Sequence, residues 1–184
     1  MIRFPKAQAS KTPDEIRSKT MKSATLANKS WTDPILLAPL IFVGHFLEES
    51  PTFVTWFNSH VARGITSGLF WRVNLTALII TLIVVAIEWF SRSGLSQVLV
   101  IAWFGFLMFA NAIFHIAGAF VDGHYVPGLV TAVLLYLPYY SWLFARSVER
   151  KLVSVPVLIG AAVIGAIPMW AHGYLILFRG SRLF

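Results

Sequence analysis

Residues Gln97–Phe120 read QVLVIAWFGFLMFANAIFHIAGAF, 24 residues with no Asp, Glu, Lys or Arg among them. A helix rises about 1.5 Å per residue, so this stretch reaches across the ~30 Å hydrocarbon core of a bilayer. It is not purely apolar, however: Asn111 and His115 stand in it one helical turn apart. Polar and ionisable side chains are expensive to leave against lipid tails. The stretch that predicts a membrane helix therefore also predicts that one of its faces looks into a bundle.

Working outward, four more apolar stretches follow the same logic: about Pro34–Glu49, Trp71–Phe90, Val126–Phe144 and Val153–Phe178. Between the first two, Pro51–Phe70 carries Trp56, Phe57, His60 and Arg63; it is too polar to span and too aromatic for an ordinary loop, which fits an interfacial or re-entrant segment. The predicted fold is all-α: a polytopic membrane bundle of about five transmembrane helices over residues 33–184, preceded by a basic tail over residues 1–32. Within the tail, Thr12-Pro13-Asp14-Glu15 reads as a helix start, with a Thr cap, Pro at the first position and Glu three residues on.

Composition agrees. The chain of 184 residues is 57% hydrophobic and 12% charged, against about a quarter charged in an ordinary globular domain. That excludes a water-soluble enzyme, a secreted disulfide scaffold and a soluble nucleic-acid binder, and so no nucleic-acid partner is expected. The formal charge of +7 is a topology signal: with a cytoplasmic N-terminus, eleven of the fifteen Lys and Arg fall on the cytoplasmic side and four on the other. The expected arrangement is N-terminus in, C-terminus out, in a membrane such as the bacterial inner membrane, with membrane lipids as immediate partners.

With no cysteine in the chain, any metal must be held by His and carboxylate. The ionisable residues of the spans converge in depth. The first span reaches His45, Glu48 and Glu49 near its outer end, the third reaches Asn111 and His115 with Asp122 beyond, and the fifth reaches His172; His124 lies in the outer loop between them. His45, Glu48 and Glu49 are an i, i+3, i+4 set able to share a helix face. By contrast, Glu88 sits four residues before Arg92, which predicts a structural helical ion pair. Tyr136, Tyr139 and Tyr140 surround Pro138 and read as packing around a kink, away from the polar layer. Gly123–Gly128 reads as a tight turn above that layer.

The segment His45-Phe46-Leu47-Glu48-Glu49 resembles the H-x-x-E-E signature of the HXXEE domain family of small integral membrane proteins. Two further elements of that resemblance, N-x-x-x-H and a later P-G pair, are matched by Asn111–His115 and Pro127-Gly128. The resemblance covers about residues 35–178 and implies residues rather than a reaction.

The residues themselves allow several chemistries. His45, Glu49, His115 and His172 form a ligand set for a divalent metal, Zn or Fe, with Asn111 orienting a ligand and Glu48 acting as base for water at the metal. This is the composition of a metal-dependent hydrolase working on a hydrophobic or lipid-like substrate. Glu48, Glu49 and Asn111 are the candidate catalytic groups, and Asp122 and His124 possible accessory ones. A diiron oxygenase is disfavoured by the scarcity of carboxylates. A metal-free acid/base isomerase of a sterol-like or terpenoid lipid needs only an acid and a base in a dry pocket. Non-enzymatic readings are a lipid-binding protein, a haem protein ligated through His45 or His115, or helix glue. The pattern leaves substrate and oligomeric state open.

Overall fold

A computed structural model describes residues 33–61 and 64–179, with side chains through Ala171. The helix expected at Thr12–Glu15 lies outside the described residues. What is described is helical, with no strand. A 3₁₀ turn, Pro34–Leu37, leads into α1 (Ala38–Glu49); α2 (Phe53–His60), α3 (Ser67–Ser91), α4 (Gly94–Asp122), α5 (residues 129–150) and α6 (Val155–Arg179) follow.

The boundaries have local causes. Thr66 caps α3 by accepting the Leu69 N–H at 3.2 Å, so the helix starts earlier than the predicted Trp71. Ser93 and Ser96 form a reciprocal box that starts α4. Gly123, at φ +71°, ends it in the left-handed conformation that glycine adopts without strain. The predicted interfacial segment contains an eight-residue helix, α2, whose Trp56 is buried against Val61 and Val126.

Two helices, α3 and α4, are long and apolar enough to cross a membrane. The other predicted spans are helical but are shorter or interrupted. The described apolar part of α6, Val155–Ala171, falls short of the same length. Phe42 and Phe46 of α1, Ile101, Phe104 and Met108 of α4, Tyr136 of α5 and Leu158 of α6 share one core. The α4 and α6 backbones meet at Gly165, where a β-carbon would collide with the Ala102 peptide.

Both α4 and α5 contain π-helical stretches, Gly105–Ala110 and Ala132–Tyr136. A π turn inserts a residue, so the face beyond it is rotated by about 100° from uninterrupted α register. Asn111 and His115 come directly after the first stretch, and Tyr136 ends the second.

The expected Glu88–Arg92 pair does not form the main contact. Glu88 instead pairs with Arg150 of α5 and accepts the Ser96 hydroxyl at 2.6 Å. The reason is conformational: Arg92 is the left-handed cap of α3, φ +46°, and its guanidinium lies over Trp89 at 5.5 Å. Leaving the helix at Arg92 breaks the i, i+4 geometry on which the predicted pair depended.

Candidate metal centre

His45 and Glu49 are one turn apart on α1 and face inward, while His115 approaches from α4. His45 Nε2 and His115 Nε2 lie 3.6 and 3.3 Å from the same atom, Glu49 Oε1. All three residues are buried, with 1%, 5% and 0% of their surfaces exposed. The imidazoles meet edge to face with centroids 5.0 Å apart. Glu49 Oε1 faces both Nε2 atoms without a well-aligned hydrogen bond to either, Asn111 faces His45, and His115 Nδ1 and the Tyr136 hydroxyl are buried without a hydrogen-bond partner. Buried polar groups are nearly always satisfied. Two imidazole nitrogens and one carboxylate oxygen converging in a buried setting form a group that could hold a metal ion.

Gly128 forms the roof. Its φ is +91°, and a β-carbon there would stand 2.8 Å from His115 Cε1, 2.9 Å from His45 Cε1 and 3.0 Å from Glu49 Cγ. Any other residue would fill the space over the three side chains.

Glu48 faces elsewhere. It reaches the first turn of α5, where it accepts the backbone N–H of Val130 at 3.1 Å and of Thr131 at 2.8 Å. The Thr131 and Tyr125 hydroxyls each donate to it at 2.5 Å. The start of a helix leaves N–H groups unsatisfied and carries positive potential, so a carboxylate is a good cap. With four donors committed, Glu48 holds the α1 and α5 ends together rather than standing free as a base. Burial first, and then the hydrogen bond and charge of Glu48, push the Tyr125 phenol in the α4–α5 loop up to about 12.

The remaining predicted residues divide. Asn111 lies beside His45. Asp122 belongs to a second group, accepting the Trp56 indole N–H at 3.1 Å and standing 3.8 Å from His60 Nε2. His124 stays in the loop, its Nδ1 2.8 Å from the Asp122 carbonyl. The side chain of His172 lies outside the described residues.

Three contributors were not legible in the sequence. Tyr136 is in the cluster, not away from it: its ring is 4.1 Å from that of His45 at 33°. The π-helical stretch that ends at Tyr136 shifts it out of the register assumed for a regular helix. Thr131 Oγ1 lies 2.8 Å from His45 Nδ1, and Gly128 supplies the roof where only a turn was expected. The Pro127-Gly128 pair was the one available signal.

The family described as protein of unknown function with HXXEE motif matches residues 36–143. The chain belongs to this HXXEE family. No curated protein and no solved structure matches it. The matched range contains the whole His45, Glu49 and His115 cluster with Thr131 and Tyr136, and it stops before α6 and His172. Within the HXXEE motif the two glutamates have different surroundings, the second at the cluster and the first at the start of α5.

Proposed function

We propose that this HXXEE protein is an integral membrane metalloenzyme whose divalent ion, zinc or iron(II), is held by His45, Glu49 and His115. The observation that carries the reading is the meeting of two buried Nε2 atoms and one carboxylate oxygen, all within 4.8 Å of one another. Zinc–nitrogen bonds of about 2.0–2.1 Å in a tetrahedron separate ligand atoms by about 3.3–3.4 Å. The contacts of 3.3 and 3.6 Å to Glu49 fit that spacing. Two His and one carboxylate leave coordination positions for substrate.

The membrane setting is a bundle of five spans, α1, α3, α4, α5 and α6, with the N-terminus cytoplasmic and the cluster in the outer half. It is supported by the basic residues of the sequence and by the outward face of α3. Leu75, Ile79, Leu82 and Ile83 are exposed on that helix, and only 28% of its most apolar window is buried. Such a face suits lipid, not water.

The proposed reaction is hydrolysis of a lipid-like ester or phosphoester, in which the oxygen of one water bonds to the carbonyl carbon or phosphorus, the ester bond breaks and the departing alkoxide takes up the proton that the water loses. An ion held by His45, Glu49 and His115 would supply a Lewis acid for the carbonyl or phosphoryl oxygen. Tyr136, whose hydroxyl has no other partner, donates to the oxygen on which charge develops, and Asn111 orients the bound group. Burial excludes bulk water and strengthens these interactions.

Metal analysis tests the reading. Purified protein stripped of metal and given zinc or iron(II) is expected to retain one ion per chain, and His115→Ala less than a tenth of that. Failure of the wild type to retain either ion overturns the metal assignment and leaves proton transfer among Glu49, His45 and His115 as the chemistry of the cluster.

A further inference from the structure

A metal ligand at His45 Nε2 must present a lone pair there, so the ring proton must be on Nδ1. The partner of Nδ1 is Thr131 Oγ1 at 2.8 Å. A threonine hydroxyl has one proton to give and can accept others. Two oxygens compete for that proton: Glu48 Oε2 at 2.5 Å and the Gly128 carbonyl at 3.3 Å. Its destination decides whether Nδ1 has an acceptor, against the competing pull of Glu49 Oε1, 3.6 Å from Nε2, and of Asn111.

Glu48 settles the direction by counting donors. The backbone amides of Val130 and Thr131 can only donate, and one points at each of its oxygens. Tyr125 occupies Oε1 as well. Both oxygens are therefore acceptors, and the bond from Thr131 to a carboxylate at 2.5 Å is stronger than one to a neutral carbonyl at 3.3 Å. With its proton given to Glu48, Thr131 Oγ1 has only lone pairs left for His45, and His45 Nδ1–H donates to it.

We infer that Thr131 and Glu48 are positioning residues that lock His45 in the Nδ1–H tautomer, aiming the Nε2 lone pair at Glu49 and His115. Metal-binding histidines commonly donate their second N–H to a carboxylate or carbonyl; here a threonine hydroxyl is inserted between imidazole and carboxylate. In the HXXEE motif, the first glutamate then orients the histidine through Thr131 while the second shares its cluster. The purpose of the lock rests on the metal reading, but the tautomer exists without metal and is measured without it.

The experiment is nitrogen NMR on the full chain labelled with ¹⁵N-histidine, stripped of metal and reconstituted in lipid bilayers, with His45 assigned by difference from His45→Gln. The expected wild-type signal is protonated Nδ1 and bare Nε2. Thr131→Ser should keep it, and Thr131→Val should show loss of the single tautomer. Cobalt(II) affinity should fall 10- to 100-fold in Thr131→Val, the usual range for outer-shell partners, and recover in Thr131→Ser. An Nε2–H tautomer in the wild type, or a tautomer unchanged in folded Thr131→Val, overturns the inference. If the valine variant does not fold, the wild-type tautomer still decides. A wild type that binds no metal but shows Nδ1–H sinks the proposed function and leaves the lock standing.

Discussion

The α-carbon of Gly128 lies so close to His115 that a β-carbon on it would stand 2.8 Å from the imidazole Cε1. Gly128→Ala therefore carries two penalties, the contact and a left-handed φ of +91°, which alone costs about 1–2 kcal/mol for a residue with a side chain. The expected result is a lowered melting temperature together with loss of most bound metal. Gly123→Ala, with comparable φ but open space around it, should show the first effect without the second.

Glu49→Gln keeps the shape of the cluster and removes its negative charge, which on the proposed metal reading is the anionic ligand. Outer partners of metal sites are worth 10- to 100-fold in affinity, so this direct ligand should cost more than about 100-fold in zinc affinity by competitive titration. Near-normal affinity in the variant would remove Glu49 from the ligand set.

The part-buried pair of Glu88 on α3 and Arg150 on α5 predicts an asymmetry. Removing Arg150 leaves the buried Glu88 charge without its partner, a loss below the about 3–5 kcal/mol of a fully buried pair because Arg150 is partly exposed, whereas replacing both with apolar residues is often close to neutral. Arg150→Met should lower thermal stability in detergent strongly, and Glu88→Leu with Arg150→Met should recover most of it. Equal losses in single and double variants would show that the pair is not what holds the two helices.

Gly165 of α6 tests the closest helix contact. Because a β-carbon would run into the Ala102 backbone, and backbone cannot rotate away as a side chain can, Gly165→Ala should destabilise the fold and Gly165→Leu more so. Small residues allow membrane helices such a close approach. Gly160→Ala, with nothing within 4 Å, is the control and should be neutral or stabilising.

Tyr125 gives a pH signature. Its phenol is held up to about 12 against a usual 10, by burial and by Glu48. A group whose folded pKa is raised contributes stability present below its unfolded value and lost as pH rises through the folded one. The Tyr125 contribution should thus be intact below pH 10 and disappear between pH 10 and 12. Ultraviolet titration of phenolate formation should show one fewer late-ionising tyrosine in Tyr125→Phe.

Much of the site was readable because its residues are rare where they stand. His45, Glu49 and His115 belong to apolar runs, and depth along each run was enough to bring them to one layer. Depth does not give azimuth. Glu48 and Glu49 are neighbours in sequence and equal in chemistry, yet the ~100° between successive helix positions sends one to the cluster and the other to the first turn of α5. Asp122 shares a face with His115 by spacing, but α2 brings Trp56 and His60 to meet it first. Tyr136 was misplaced because π-helical register cannot be seen in a pattern of apolar residues.

What the sequence by itself determined is the helical class, the scarcity of charge and the candidacy of His45, Glu49 and His115 as a buried polar group, because these follow from solvation costs that each segment carries alone. Which atoms face each other was decided only by the tertiary structure. The two π stretches turn α4 and α5, the left-handed Gly128 lets α5 close over the imidazoles, and the N–H groups at the start of α5 claim Glu48. The π stretches and the Gly128 turn are local in the backbone, but what they bring together, His45 and Glu48 of α1 with His115 of α4 and Thr131 of α5, is distant in the chain, and no local pattern encodes that.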